Sequence, residues 1–110
     1  MAHFNEQTDD DLCVIRVAGE VDIASTEEFL ALATDGLDRC RHLRLDLSEV
    51  SFMDSSGLGI LLRIRRLAAD SGKRLTLASL GAGTRRILQV TGVHQLFEVE
   101  GDTGDVRASG

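Results

Sequence analysis

The stretch Phe52-Met53-Asp54-Ser55-Ser56-Gly57-Leu58-Gly59 sets two hydroxyls between an apolar run that reads as a strand and one that reads as a helix. A helix N-terminus binds anions, because its first backbone N–H groups lack intrahelical partners and its dipole favours negative charge. A serine at that junction is placed to carry a phosphate without electrostatic penalty, with Gly57 and Gly59 keeping its surroundings open to an approaching partner. Capping is the alternative use of Ser55 and Ser56, since serine is among the best N-cap residues. Asp54 divides in the same way: it either orients Ser55 for phosphoryl transfer or caps the helix itself.

Outward from the junction, the apolar residues switch repeatedly between strand and helix periods. Leu43, Leu45 and Leu47 alternate with Arg44 and Asp46, as in a half-buried strand. Ser25 or Thr26 opens an earlier helix, with Glu27 and Glu28 in a first turn that favours carboxylates and Phe29, Leu30, Leu32, Ala33 and Leu37 as its apolar face. The β-branched, mostly apolar run Leu12-Cys13-Val14-Ile15-Arg16-Val17-Ala18 predicts a strand buried on both faces over most of its length, ended by Gly19. Before it, His3 to Gln7 reads as a short edge strand closed by the acidic turn Asp9-Asp10-Asp11.

Toward the C-terminus, at about 100° per residue, Gly57, Ile60, Leu61, Ile64, Leu67 and Ala68 form one core-facing stripe. Leu58 and Leu62 lie together on its flank, where a solvated helix carries polar side chains; either a neighbouring loop or a partner covers them. Ser71-Gly72 stops this helix, Leu75 to Ala78 reads as a strand, Thr84 to Thr91 as a short helix closed by Gly92, and Phe97-Glu98-Val99 as a last strand. The order implies an α/β fold, a mixed sheet of four or five strands with helices packed against it, in a single domain over residues 1–100. Residues 101–110 are too polar and glycine-rich to pack and are expected to form a flexible tail.

Composition narrows the function. The 110 residues suit one domain. A net charge of -6 argues against electrostatic binding to nucleic acid. No apolar run approaches the roughly 18 residues that span a bilayer, and the polar start Met1-Ala2-His3-Phe4-Asn5-Glu6 lacks the order of a signal peptide, so a cytoplasmic protein without membrane contact is expected. Cys13 and Cys40 form no Cys-x-x-Cys pair and read as small core or helix-end residues of a reducing compartment. His3, His42 and His94 have no metal-ligand spacing, neither His42 nor His94 sits in a nucleophile-elbow arrangement, and Gly81-Ala82-Gly83 lacks the lysine and hydroxyl of a P-loop. No metal, cofactor or catalysis is expected. Arg63, Arg65, Arg66, Lys73, Arg74, Arg85 and Arg86 read as a solvated face open to acidic groups on a protein partner.

With Asp46-Leu47-Ser48-Glu49-Val50-Ser51 leading into it, Asp54-Ser55-Ser56-Gly57 resembles the phosphorylation-loop signature of STAS domains, specifically the bacterial anti-sigma factor antagonists. Gly19-Glu20-Val21-Asp22-Ile23-Ala24-Ser25-Thr26 resembles that family's Gly-Glu-(Val/Leu)-Asp loop, which lies beside the phosphorylation loop. Arg85-Arg86-Ile87-Leu88 with Thr91-Gly92-Val93 is similar to its last core helix and glycine stop. The resemblance runs from about Phe4 to Phe97, with two departures: Gly81-Ala82 replaces the Ser-Pro that commonly opens the last core helix, and the usual terminal helix has no counterpart in the glycine-rich tail.

The resemblance implies the STAS fold and a partner switch. In that scheme the unphosphorylated antagonist binds an anti-sigma factor, itself a serine kinase of the histidine-kinase-like ATPase fold, and a sigma factor is released. The kinase then phosphorylates the antagonist, and a PP2C-type phosphatase restores the binding form. By position Ser55 is the phosphoacceptor, and Asp22, Asp54, Ser56, Gly57, Leu58 and Leu62 are the partner-binding residues. Asp22 has an alternative role as an Asx turn satisfying loop amides. A monomer or weak dimer is expected. The competing reading is a structural STAS subunit of a stress-sensing or lipid-transport assembly, with constitutive contacts in place of the switch. Deleting the chain beyond Gly101 is expected to leave the melting temperature unchanged, because the tail lacks the apolar periodicity that would offset its ordering entropy. A drop of more than a few degrees would show that it docks.

Overall fold

Period-two apolar residues build one sheet whose strand order follows the chain. The computed structural model describes residues 1–100. In it β1 (Ala2–Asp9) and β2 (Leu12–Val21) form an antiparallel hairpin, and β3 (His42–Met53), β4 (Arg74–Ala78) and β5 (Glu98–Glu100) add one after another in parallel. Between the parallel strands run α1 (Thr26–Arg39), α2 (Ser55–Asp70) and α3 (Ala82–Val90), with short 3-10 turns at Ile23–Ser25 and Val93–Leu96. Right-handed crossovers that always advance in one direction return every helix to the same face. Cys13, Ile15 and Val17 of β2 and Leu43, Leu45 and Leu47 of β3 thus meet Phe29, Leu61, Ile64 and Leu88 of the three helices in one inaccessible core. The expected tail lies outside the described residues.

Several sequence expectations are corrected. Only one face of β2 is buried: Cys13, Ile15 and Val17 point into the core, while Arg16 is exposed on the other side. Gly19 does not end the strand. It lies in it at φ +90, where the β2–β3 register shifts, and the pairing continues to Val21 opposite Met53. Leu67, placed on the core stripe of α2 by its period, is 36% exposed. The cysteines are core residues but not separate ones. Cys13 begins β2 on the helix side, α1 runs back antiparallel to the strand, and its end brings Cys40 to Cys13 in a disulfide with Cα atoms 6.0 Å apart. A sequence separation of 27 gives no hint of that return. The Gly81-Ala82 departure costs only a cap: Gly81 opens α3 without a side-chain hydrogen bond. Gly92, at φ +78, follows its end as expected.

The face of the sheet away from the helices is polar. Arg16 pairs with Asp46 at 3.4 Å and Arg44 with Glu100 at 2.6 Å, while Arg74 pairs with Glu98. Thr76 Oγ1 donates to Glu100 and also meets His42 Nε2 at 2.8 Å. Burial, then the charge of Arg74, lowers the pKa of His42. The hydrogen bond from Arg74 lowers that of Glu98; burial pushes Glu100 up, but the hydrogen bond and charge of Arg44 outweigh it and hold it low.

A folded-state pKa below the unfolded one means that the unfolded chain binds the proton more strongly, so stability falls as pH is lowered. For His42 the loss begins near 6.5, and for Glu98 and Glu100 it begins below 4.5. The urea midpoint is expected to decline in two stages on acidification, and His42→Gln to remove the upper stage. An unchanged upper stage in that variant would assign it to another group.

Candidate functional site

The C-terminal ends of β2 and β3 and the start of α2 converge at Asp54. Its backbone N–H donates to the Val21 carbonyl at 3.4 Å, which ties the exit of β3 to the end of β2. Extended backbone at φ -103 and ψ -169 turns its carboxylate back over the first helical turn, where Oδ1 accepts from the N–H groups of Ser56 at 2.9 Å and Gly57 at 3.2 Å. Asp54 is therefore the N-cap. The capping alternative for Ser55 and Ser56 is overturned: Ser55 is the first residue of the helix, exposed, and its hydroxyl bonds no described residue. Because the cap is itself an anion, a phosphate on Ser55 would sit beside the Asp54 carboxylate rather than at a vacant dipole end.

Gly57 does not keep the surface open. It is buried where α2 crosses the strand ends, and a Cβ there would stand 2.5 Å from Met53 Cγ and 3.0 Å from the Val21 carbonyl oxygen. Its backbone closeness holds the first turn of α2 against both strands. Gly59, by contrast, is exposed, and a Cβ there would meet nothing within 4 Å.

The two leucines separate. Leu58 is 9% exposed and belongs to the core, so cover by the protein itself explains it; Leu62 is 36% exposed on the outer face of α2. On the helix Leu58 lies about 40° closer to the core stripe than Leu62, and that difference separates a buried side chain from an exposed one.

Asp22 joins the site through the sheet. Val21 pairs with Met53, so Asp22 and Asp54 leave adjacent parallel strands side by side, about 4.8 Å apart by ordinary strand spacing. The Asx role is present: Asp22 Oδ1 accepts from Ala24 N at 3.1 Å and lies 3.2 Å from Ser25 Oγ, while the Asp22 N–H reaches that same hydroxyl at 3.3 Å, a capping box for the 3-10 turn. The residue remains partly accessible.

Two apolar residues at this end were not anticipated. Ile23 is 76% exposed and Phe52 is 53% exposed. Phe52 lies opposite Glu20 in the register, one residue before the buried Met53. Alternation carried forward from Leu43, Leu45 and Leu47 fails at Glu49, which is exposed, and Val50, which is buried; a second shift in the β2–β3 register restores the phase, so that Phe52 points out and Met53 in.

The geometry agrees with what the chain is similar to. A family model described as Mlab, STAS domain, matches residues 4–98. The anti-sigma-B factor antagonist of Bacillus subtilis (strain 168) is 32% identical over 98 residues, 86% of this chain and 85% of its own. An anti-sigma factor antagonist from Mycobacterium paratuberculosis superposes with a TM-score of 0.82 at 24% identity, covering 96% of this chain and 90% of that one. SpoIIAA is similar in both forms: unphosphorylated, with a TM-score of 0.76 at 23% identity over 96% of this chain and 100% of that one, and phosphorylated, with 0.71 at 23% over 93% and 95%. The chain belongs to the STAS-domain family, among relatives that are bacterial anti-sigma factor antagonists. Among the described residues no helix is long and apolar enough to cross a membrane.

Because Asp54 and not Ser55 caps the helix, the two positions make a stability contrast. Asp54→Ala is expected to cost about 1 kcal/mol through loss of the cap, and Ser55→Ala to change stability by less than about 0.5 kcal/mol, as for an exposed side chain. Urea denaturation of the two variants checks this; equal losses would mean that the serine hydroxyl shares the capping.

Proposed function

We propose that this protein is a cytoplasmic anti-sigma factor antagonist controlled by phosphorylation of Ser55. Unphosphorylated, it binds a serine-kinase anti-sigma factor of the histidine-kinase-like ATPase fold and so releases a sigma factor. The kinase phosphorylates Ser55 and the complex dissociates; a PP2C-type phosphatase returns the binding form. The protein performs no catalysis of its own in this scheme.

The observation that carries the reading is the division of labour at the α2 N-terminus. Asp54 satisfies the first-turn N–H groups, so the exposed Ser55 hydroxyl has no structural task and stands open to a kinase. Phosphate brings roughly −1.5 to −2 charges and several acceptor oxygens to that point, enough to empty an interface without unfolding what lies beneath. Asp22, Asp54, Ser56 and Leu62 are the surface the partner meets, with Ile23 and Phe52 added to it and the buried Gly57 and Leu58 supporting it from below.

A second reading keeps the fold and drops the switch: a STAS subunit with constitutive contacts in a stress-sensing or lipid-transport assembly. It is favoured by one finding, that the matching family model is described by Mlab rather than by an antagonist. Kinase-dependent phosphate incorporation with site mapping decides between them. Wild type and Ser56→Ala are expected to incorporate phosphate, Ser55→Ala to incorporate none while still binding the kinase, and Ser55→Asp to fold but bind weakly. Full incorporation in Ser55→Ala, or its loss only in Ser56→Ala, would overturn the assignment.

A further inference from the structure

Cys13 and Cys40 are buried nucleophiles that the candidate site does not use. They are 0% and 1% exposed, and a disulfide joins them with Cα atoms 6.0 Å apart. Cys13 lies near the start of β2, at the end of the parallel strands away from Asp54, which follows β3.

Contacts other than the bond hold the two cysteines together. Cys40 is the C-cap of α1, and its N–H donates to the Gly36 carbonyl at 2.9 Å. Lys73 Nζ donates to the Cys40 carbonyl at 3.2 Å. On one side of Cys40, Arg39 pairs with Glu6 and donates to Thr8 Oγ1 at 3.0 Å. On the other, the Arg41 N–H donates to Asp11 Oδ1 at 3.0 Å and the His42 N–H to the Asp11 carbonyl at 3.3 Å. Gly36, in a last helical turn that glycine weakens, lets α1 lie close over the pair: a Cβ there would stand 3.1 Å from Leu43 Cδ1 and 3.5 Å from Cys13 Cβ. The bond adds to a geometry that these contacts already define, so its reduction leaves two thiols placed to close again.

A disulfide in the cytoplasm meets a reducing pool of small thiols, and those that form there in most organisms are transient, catalytic or redox-sensing. We propose that Cys13 and Cys40 form a reversible redox clasp: a dithiol in the reduced cytoplasm, converted to the disulfide by a low-molecular-weight disulfide when the thiol pool is oxidised, with a gain in the stability of the folded protein. The compartment is taken from the proposed function; the clasp is otherwise independent of Ser55 and its partner.

Cys13 is the cysteine that such an oxidant reaches first. The exposed Thr8 brings its hydroxyl to 3.6 Å from Cys13 Sγ, so the sulfur lies one side chain below the surface. The Cys13 thiolate attacks one sulfur of the small disulfide, whose S–S bond breaks to leave a mixed disulfide on Cys13 and release one small thiolate. The Cys40 thiolate then attacks Cys13 Sγ and expels the second. The two protons given up by the protein thiols pass to the two small thiolates, so two protein thiols are oxidised and one small disulfide is reduced to two thiols. Closing the bond across a sequence separation of 27 restricts the unfolded chain, which favours the folded state.

The test equilibrates the full chain with reduced or oxidised glutathione and needs neither kinase nor phosphate. Free thiols are counted by maleimide labelling after denaturation, and each form is melted. Wild type is expected to show both thiols in reduced glutathione and neither in oxidised glutathione, to interconvert reversibly, and to melt roughly 5–15 °C higher when oxidised. Cys13→Ala/Cys40→Ala is expected to melt at one temperature in both buffers; because the two wild-type forms are compared directly, the result stands even if this variant is unfolded. In cells, acid quenching and the same labelling are expected to find the dithiol before, and the disulfide after, treatment with the thiol oxidant diamide. Wild type that keeps its thiols in oxidised glutathione, equal melting of its two forms, or an equal shift in the folded double variant would overturn the clasp. A disulfide already complete in untreated cells would make the bond permanent and overturn the switch. Failure of the Ser55 phosphorylation experiment leaves each of these outcomes untouched, so the two readings fail separately.

Discussion

One carboxylate oxygen organises the working end of this molecule. Asp54 Oδ1 takes the N–H groups of Ser56 and Gly57, and the Asp54 N–H takes the Val21 carbonyl, so a single residue ends β3, starts α2 and fastens both to β2. Gly57 makes this closure sterically feasible, since any side chain there would press on Met53 and the Val21 backbone. With the helix end satisfied internally, the next residue outward is relieved of structural duty. Ser55 starts the helix with an exposed hydroxyl that bonds no described residue, so under the proposed switch a chemical change there would alter a surface and not a fold.

The electrostatics of that end favour a surface effect. A phosphate on Ser55 adds charge beside the Asp54 carboxylate and across the strand ends from Asp22, partly offsetting the benefit of the helix dipole. At an exposed position water and salt screen much of the mutual repulsion, so the folded state tolerates the added charge. A partner that excludes the water removes the screening as well. In the proposed switch, binding and phosphorylation would therefore compete more strongly than folding and phosphorylation.

Much of this was legible from the chain. The hairpin, three helices and parallel strands follow from period switches and from glycine and serine punctuation, and the segment from Asp54 to Gly57 marks the candidate site. What escaped was set by tertiary placement. Cys13 and Cys40 meet only because α1 folds back along β2. Leu58 and Leu62 differ by about 40° on the helix, and only the packed structure shows that one is buried and the other exposed. Glu49 and Val50 depart from the alternation of β3 because its register with β2 shifts there, which breaks the two-residue phase that strand reading depends on. The sequence leaves the cap open between Asp54 and its serines because aspartate and serine are both good N-caps, and only the backbone angles decide which residue stands at the boundary.

The strand order β1-β2-β3-β4-β5 repeats the order of the chain. Each strand after the first therefore has its neighbour already made when it is synthesised, and each parallel strand after β2 has its connecting helix just before it in the chain. No strand waits for a later one to be inserted between existing neighbours, so the nascent sheet needs no rearrangement to reach its final topology. The segment from Asp54 to Leu62 follows β2 and β3 in the chain, so the two strands that position it are made before it and β4 and β5 extend the sheet away from it.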